Sequence, residues 1–357
     1  MKILDWYIIK KFLGTYVFAI VLIIAISVVF DFNEKLDKFI RNEAPTKAII
    51  WDYYLNFIPY FINLFSPLFV FIAVIFFTSR LADNSEIIAM LSSGVSFKRL
   101  MRPYMISAAL ISIMTFLLNS YIIPPANVVR LEFENKYVKD RRVLYSGNIQ
   151  LEVEPELFAY FDRFDTYTNT GSRFSLDKFE GKQLKSRMTA QQIVWDSAYH
   201  WTVKDYMIRD FIGMKEEVRI GQKIDTTLTI IPSDFMISAY DCEQMTTPAL
   251  KKYIDRQKKR GIGNIKDFEI EYHRRFMTSF TAFILTIIGA SLSSRKIKGG
   301  MGINIGLGLL LSFSYILFMQ VTSSFAVSGL VSPFVAVWIP NIVYSFIAII
   351  LYKRAPR

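Results

Sequence analysis

Five stretches of the sequence contain no Asp, Glu, Lys or Arg, and their lengths constrain the fold more than any other feature. They cover residues 12–30, 53–79, 103–129, 276–294 and 299–352. A helix of about 20 apolar residues spans the hydrocarbon core of a bilayer. Each of the first four stretches fits one span, and the fifth fits two spans joined by a turn near residues 323–333. The sequence therefore predicts six transmembrane helices, three on each side of a long insert.

The ends of the first three spans carry distinct signals. No small-residue cleavage site follows residues 12–30, so this stretch is predicted to be a retained span and not a signal peptide. Residues 31–41 mix charged and apolar side chains, which predicts a helix that continues past the hydrocarbon. Prolines at 59 and 67 interrupt the second span, and the third span is predicted to end at Pro124-Pro125 because proline punctuates helices.

The insert, residues 130–270, has the pattern of an all-β domain. Short segments with alternating apolar residues, such as 149–153, 189–195, 201–206 and 225–231, have the period of two that is typical of strands. Many short strands of this kind indicate a sandwich or jelly roll. A helix is predicted near the end of the insert, over residues 246–260. The predicted architecture is an α+β membrane protein: residues 1–129 and 271–357 form three transmembrane helices each, around a jelly-roll-like domain.

The loop between the second and third spans, residues 80–102, is predicted to contain a short helix with its own ends. Asp83 is a favourable N-cap with Glu86 three residues later, and Gly94 is a favourable left-handed C-terminal stop. An apolar stripe lies between them, made of Ile87, Ile88, Met90 and Leu91. These apolar side chains must be shielded from water, and the surface that covers them is either the bilayer, the protein's own helices or a groove on a soluble partner.

The basic residues predict the orientation of the chain. Four segments hold thirteen basic residues but only three acidic ones, Asp5, Asp83 and Glu86. The basic residues are Lys2, Lys10, Lys11, Arg80, Lys98, Arg99, Arg102, Arg295, Lys296, Lys298, Lys353, Arg354 and Arg357. By the positive-inside rule these segments, with both termini, are cytoplasmic, and the β domain is outside. This topological bias explains most of the net charge of +11, so nucleic acid is not an expected partner. With one cysteine and no disulfide, the exterior fits a bacterial periplasm.

Motifs for catalysis, nucleotide binding and metal binding are missing from the sequence. There is no G-x-x-x-x-G-K-[ST], no H-E-x-x-H and no G-x-S-x-G. Gly302 and Gly306 are instead predicted to permit close helix contact. A single cysteine and two histidines argue against a metal site built from these ligands. The spans hold no ionisable residue, which disfavours a proton-coupled transporter.

Basic residues also occur at the predicted outer ends of the spans, against the topological bias. They are Lys35, Lys38 and Arg41 after the first span, Arg130, Lys136 and Lys139 after the third, and Arg274 and Arg275 before the fourth. Such residues either bind an anionic ligand or are ordinary solvated charges balanced by nearby carboxylates.

Several segments, in this order, resemble the LptF/LptG (YjgP/YjgQ) permease family. They are SEIIAMLSSGVSFKRLMRP in the first cytoplasmic loop, TTLTIIPSDF near the end of the β domain, EYHRRF entering the fourth span, SRKIKGGMG after it, and SGLVSPFVAVWIPN entering the sixth span. The resemblance covers nearly the whole chain. It implies the membrane part of an ABC transporter that extracts lipopolysaccharide from the inner membrane of Gram-negative bacteria. It also implies that the lipid passes through the periplasmic jelly roll towards a bridge to the outer membrane.

The resemblance further implies partners and residue roles. A paralogous permease chain completes a heterodimer, which pairs with an LptB-like ATPase dimer and an LptC-like single-span protein. The chain itself would carry no cofactor, because the partner ATPase uses the ATP. Residues 83–94 resemble the family's coupling helix, with Asp83, Glu86, Ile87, Met90, Leu91 and Gly94 as the expected contacts. The outer basic residues resemble lipid-phosphate contacts. The alternative hypothesis is a membrane-anchored sensor or assembly scaffold with a periplasmic β domain. A membrane enzyme acting on lipids is a third hypothesis, but the sequence shows no set of catalytic residues for it.

Overall fold

The computed structural model describes residues 3–138, 145–165, 168–213, 215–232, 241–259, 265–295 and 301–355. The chain divides into two compact units. The first comprises Met1–Val138, Glu243–Thr247 and Glu269–Arg357, and the second comprises Lys139–Cys242 and Pro248–Phe268. Among the basic residues used to predict orientation, Lys2, Lys296, Lys298 and Arg357 lie outside the described residues.

Among its described residues, the first unit contains six helices that are long and apolar enough to cross a membrane, as predicted. Helix α1, Ile3–Arg41, includes the first span and the predicted amphipathic extension as one continuous helix. The later helices of the unit are α9, Lys266–Ser293, α10, Met301–Val327, and α11, Pro333–Arg354. The turn between α10 and α11 falls inside the predicted range of residues 323–333.

The second span is built from several helical pieces. They are α2, Thr46–Ala48, a π-helical segment, Ile49–Tyr54, then α3, Leu55–Leu64, and α4, Ser66–Asp83. The break falls at Phe65, and Pro67 lies in the first turn of α4, where proline needs no hydrogen-bonded N–H. Pro59 lies inside α3 without ending it. Of the two predicted interruptions, only the one at Pro67 coincides with a helix boundary.

The third span does not end at Pro124-Pro125, so that prediction was wrong. Helix α5, Glu86–Ser92, precedes α6, Phe97–Leu117, which continues through a π-helical segment, Leu118–Ile122, into α7, Ile123–Tyr137. The two prolines fall in the first turn of α7. Their missing N–H groups are tolerated there because first-turn N–H groups have no partner within their own helix.

Helix α4 forms the centre of the first unit. Its residues 69–71, 73 and 74 are completely buried in the core, to which α1, α6, α9, α10 and α11 also contribute. Two glycines bring helices close to α4. A Cβ on Gly289 would lie 2.9 Å from Val74, and one on Gly308 would lie 2.3 Å from Ile75. The glycines predicted for close contact, Gly302 and Gly306, have no atom within 4 Å of such a Cβ, so they make no close helix contact within this chain.

The second unit contains an antiparallel six-stranded sheet, as the β pattern predicted. Its strands are β1, Tyr145–Glu154, β2, Leu157–Asp165, β3, Thr170–Glu180, β4, Gln183–Ser197, β5, His200–Ile212, and β6, Lys215–Thr227. Neighbours in sequence are neighbours in the sheet throughout. The described strands therefore form a meander and do not show the crossed strand order of a jelly roll.

One face of this sheet carries an aromatic core. Phe161, Phe164, Phe174 and Trp201 are buried together, with ring centroids of neighbours 5.1 to 6.3 Å apart. The indole N–H of Trp201 donates to the carbonyl of Ile230 at 3.0 Å. The predicted strand over residues 225–231 therefore ends early, at Thr227, because the chain beyond it turns to the indole. Helix α8, Thr247–Lys259, matches the predicted helix over residues 246–260.

Candidate functional site

One end of the first unit gathers the segments that the sequence singled out as basic. Arg99 at the start of α6 donates to both carboxylate oxygens of Asp5 in α1, at 2.6 and 2.8 Å. The rings of Phe97 and Tyr352 lie 5.7 Å apart, which brings the end of α11 to the same place. The guanidinium of Arg295 donates to the carbonyl of Arg354. We call this the basic end of the unit.

Helix α5 lies at the basic end, and its two ends are formed differently from one another. Gly94 has φ of +87°, and its N–H donates to the carbonyl of Leu91, which confirms the predicted left-handed stop. Asp83 does not cap α5, because α4 continues through Asp83 itself. The N-cap position belongs to Ser85, which has φ of +60° and no side-chain cap bond. Glu86 instead accepts hydrogen bonds from Tyr7 at 3.0 Å and from Asn84 at 3.3 Å.

The apolar stripe of α5 faces the protein's own helices. Ile87 is 1% exposed, and Met90 and Leu91 pack against the core of the bundle. Of the three covers that the sequence left open, the structure uses the chain's own helices. Ile88 points the other way and is 53% exposed. Any partner that contacts α5 from outside therefore meets Ile88 before the buried stripe.

The opposite end of the unit is dominated by aromatic rings. Phe39, Tyr53, Tyr54, Phe57 and Phe133 pack there, contributed by α1, α3, α7 and the π-helical segment at 49–54. We call this the aromatic end. The ammonium of Lys35 donates to Asp31 at 2.6 Å and to the hydroxyl of Tyr53, so one predicted anion-binding residue is already paired. Asp31 also accepts hydrogen bonds from Tyr53 and Tyr54, both at 3.2 Å.

A polar cavity of 140 Å³ lies in the same unit, between α3, α7, α9, α10 and residues 243–247. Arg275 lines it and is 1% exposed. Its guanidinium donates to Glu271 at 2.9 Å, to the carbonyl of Met245 at 2.8 Å and to Thr247 at 3.1 Å. Arg275 therefore fastens the segment 245–247 to α9, a structural role that the sequence pattern did not reveal.

Glu243 brings negative charge into the same cavity. Burial raises the pKa of its carboxyl group, and the nearby Glu271 raises it further, while Arg274, Arg130 and Arg275 oppose the shift. These side chains are thus close enough to influence one another electrostatically. The guanidinium of Arg130 also lies 4.3 Å from the ring centroid of Tyr60, which lines the cavity. The structure therefore brings three of the predicted basic residues together around one carboxyl group.

Lys139 lies outside the described residues, and the other seven outer basic residues fall into two groups. Four have carboxylate partners: Lys35 with Asp31, Arg130 with Glu134 at 3.5 Å, and both Arg274 and Arg275 with Glu271. The other three, Lys38, Arg41 and Lys136, are exposed and form no ion pair within the described residues. Lys136 lies 5.0 Å from the ring centroid of Tyr137. The positive charges that could contact an anion at this end without breaking an ion pair are therefore those of this second group.

Sequence reasoning missed the acidic and amide residues of this region. Asp31 appeared only as a balancing charge, although it holds Lys35 and both tyrosines. Glu243 and Asn127 were not singled out, although the Asn127 amide donates to the Glu243 carbonyl at 3.2 Å. These two residues are 116 positions apart, so no local pattern could have paired them. Within the described residues, no group of three or more His, Cys, Asp or Glu side chains is placed to hold a metal ion.

Six apolar helices in two sets of three, together with the inserted antiparallel sheet, define an integral membrane protein with an extramembrane β domain. The family model of the lipopolysaccharide export system permease LptF/LptG matches residues 6–354, so the chain belongs to that family. No curated protein sequence matches the chain. As a member of this family the chain is a transport permease and not an enzyme.

Proposed function

We propose that this chain is one of two permease subunits of an ABC transporter in the inner membrane of a Gram-negative bacterium. The transporter extracts lipopolysaccharide from that membrane and passes it to a periplasmic bridge towards the outer membrane. The family match over residues 6–354 carries this proposal. The second subunit would be a paralogous permease chain, and an LptC-like single-span protein would join the pair.

The proposed orientation places the basic end in the cytoplasm. Residues at this end include Lys10, Lys11, Lys98, Arg102 and Lys353, all of them exposed. A cluster of Lys and Arg next to the spans favours the cytoplasmic side of a membrane. The aromatic end, the polar cavity and the β unit then belong to the periplasmic side, where lipopolysaccharide would enter.

The proposed link to an ATPase dimer is α5. The chain has no nucleotide-binding motif, so the energy for transport would come from a separate subunit that uses ATP. The hydrogen bond from Tyr7 to Glu86 and the ion pair of Asp5 with Arg99 tie the α5–α6 connection to α1. A displacement of α5 by the ATPase would therefore also displace α1, and the buried Ile87 would transmit it to the core.

The proposed contacts for lipid phosphates are at the aromatic end. Lys38, Arg41 and Lys136 provide exposed positive charge there, and each can approach an anion without first losing a carboxylate partner. The four paired residues would contribute mainly through their positive charge, which lowers the electrostatic free energy of an anion bound nearby. Their hydrogen bonds are already used within the protein. These residues are Lys35, Arg130, Arg274 and Arg275.

A substitution on the exposed face of α5 tests the proposed ATPase contact. We expect Ile88→Asp to reduce co-purification of the co-expressed ATPase, because it places a charge where an apolar contact is proposed. The matched control is Leu330→Asp in the turn between α10 and α11, which is 75% exposed and lies outside the basic end. Equal ATPase recovery with both variants would show that the ATPase does not dock on α5.

A charge-removal experiment tests the proposed phosphate contacts. We expect the triple variant Lys38→Ala, Arg41→Ala and Lys136→Ala to retain less lipopolysaccharide during purification, with the loss largest at low salt. The control removes three exposed charges from the β unit, with Lys182→Ala, Lys204→Ala and Lys215→Ala. If both triple variants retain the same lipid at low and high salt, the aromatic end does not bind the phosphates.

A further inference from the structure

A long apolar groove runs along the first unit between α6, α9 and α11. One part has a volume of 860 Å³ and is lined by residues of all three helices, including Met105, Ile287 and Tyr352. The adjoining part has a volume of 590 Å³ and extends to Phe280 and Trp338. Ile284, Ser345 and Ile349 line both parts, so the two form one continuous groove.

Three cations stand at the end of the groove that lies at the basic end. Lys98 and Arg102 come from the first turns of α6, and Lys353 comes from the last turn of α11. All three side chains are exposed, and none forms an ion pair within the described residues. No acidic residue lines either part of the groove. The positive charge there is therefore not balanced by the groove itself.

The dimensions of the groove fit a lipid chain. Between Trp338 and Lys353 the α11 helix rises through 15 residue steps, or about 22 Å at about 1.5 Å per residue. One leaflet of the hydrocarbon core is about 15 Å thick, half of about 30 Å. A chain anchored at the cations would thus lie against apolar side chains over the full depth of its leaflet.

We propose that this groove binds an anionic phospholipid from the leaflet at the basic end. Its phosphate would lie among Lys98, Arg102 and Lys353, and one acyl chain would lie along Met105, Ile284 and Ile349. Basic pockets between transmembrane helices bind anionic headgroups in this way. The combination of charge at one end with an almost wholly apolar wall matches a phospholipid, whereas an apolar partner helix would leave the three cations without countercharge. This site is distinct from the proposed lipopolysaccharide contacts at the aromatic end, and it does not depend on transport activity.

Native mass spectrometry of the full-length chain in detergent tests the proposal. Phosphatidylglycerol and phosphatidylethanolamine are titrated separately, and the bound lipids are counted. We expect the wild type to prefer phosphatidylglycerol, and the double variant Arg102→Ala, Lys353→Ala to bind it about tenfold more weakly. The matched control is Lys10→Ala, Lys11→Ala, which removes the same charge from exposed positions on α1 at the same end. The control is expected to keep the preference.

A second variant tests the apolar part without changing charge. Ser345 is half-buried and lines both parts of the groove, so Ser345→Trp would fill it and is expected to lower phosphatidylglycerol binding to the same extent. A photo-crosslinking residue at Ile349, in the assembled complex, is expected to label lipid. The proposal is overturned if the two double variants bind phosphatidylglycerol equally, if the wild type shows no preference, or if position 349 labels a protein helix instead.

Discussion

Removal of the buried guanidinium of Arg275 is predicted to destabilise the first unit substantially. Arg275→Met keeps a long unbranched side chain but removes the charge and the hydrogen bonds to Glu271, Met245 and Thr247. Glu271 is itself 5% exposed, so its carboxylate would stay buried with less compensating charge. Breaking a buried ion pair by removing one partner costs about 3 to 5 kcal/mol. At about 2 °C per kcal/mol for a chain of this size, Tm should fall by about 6 to 10 °C.

Thermal unfolding of the detergent-solubilised protein, followed by tryptophan fluorescence, measures this effect. The control is Arg274→Met, because Arg274 shares the partner Glu271 but its side chain is 41% exposed. We expect that control to lower Tm by much less. The double variant Glu271→Gln, Arg275→Met should recover part of the loss, because it no longer buries an isolated carboxylate. A Tm for Arg275→Met within about 2 °C of the wild-type value would correspond to a change in unfolding free energy of less than about 1 kcal/mol. In that case, the hydrogen bonds that hold segment 245–247 to α9 are unimportant for stability.

Three further predictions follow from single positions. The pKa of Glu243 is raised, so the folded protein favours the protonated carboxyl group. The stability that this group contributes is complete below the ordinary pKa of a glutamate and is lost as pH rises through the raised value. Glu243→Gln should therefore raise Tm at pH 7.5 more than at pH 5. Gly171→Ala places a Cβ 2.7 Å from the ring of Phe161, so it should destabilise the sheet by about 1 to 3 kcal/mol and speed proteolysis of the β unit. Gly94→Ala, at φ of +87°, should cost about 1 kcal/mol, read as a lower Tm, and should reduce ATPase co-purification.

The number and order of the spans could be predicted from the sequence because each depends on a long stretch without charge. The turn between α10 and α11 was placed correctly inside residues 299–352, because a charge-free run of that length is enough for two spans joined by a short turn. The continuation of α6 through Pro124 into α7 could not be predicted. A proline stops a helix in most contexts, and the widened turn at 118–122 that precedes it has no sequence pattern of its own.

The site was harder to predict than the fold because its side chains meet through tertiary contacts. The stripe of Ile87, Met90 and Leu91 was visible in the sequence, but the choice between a partner and the protein's own core depended on how α5 packs. In the sequence alone, Arg275 cannot be distinguished from the other basic residues near the ends of the spans. Only the fold shows that it is buried and bonded to Met245 and Thr247, whereas Lys38 and Arg41 stay exposed.

We propose that this chain is part of a transporter that uses ATP to release lipopolysaccharide from the membrane. Proteoliposomes containing the chain, its paralogous permease, the single-span protein and the ATPase test that claim directly, with labelled lipopolysaccharide in the membrane and a soluble periplasmic acceptor outside. We predict transfer to the acceptor that requires ATP and is lost when the Walker A lysine of the ATPase is replaced. Lipopolysaccharide transfer that is the same with and without ATP, or with and without this chain, would contradict the account.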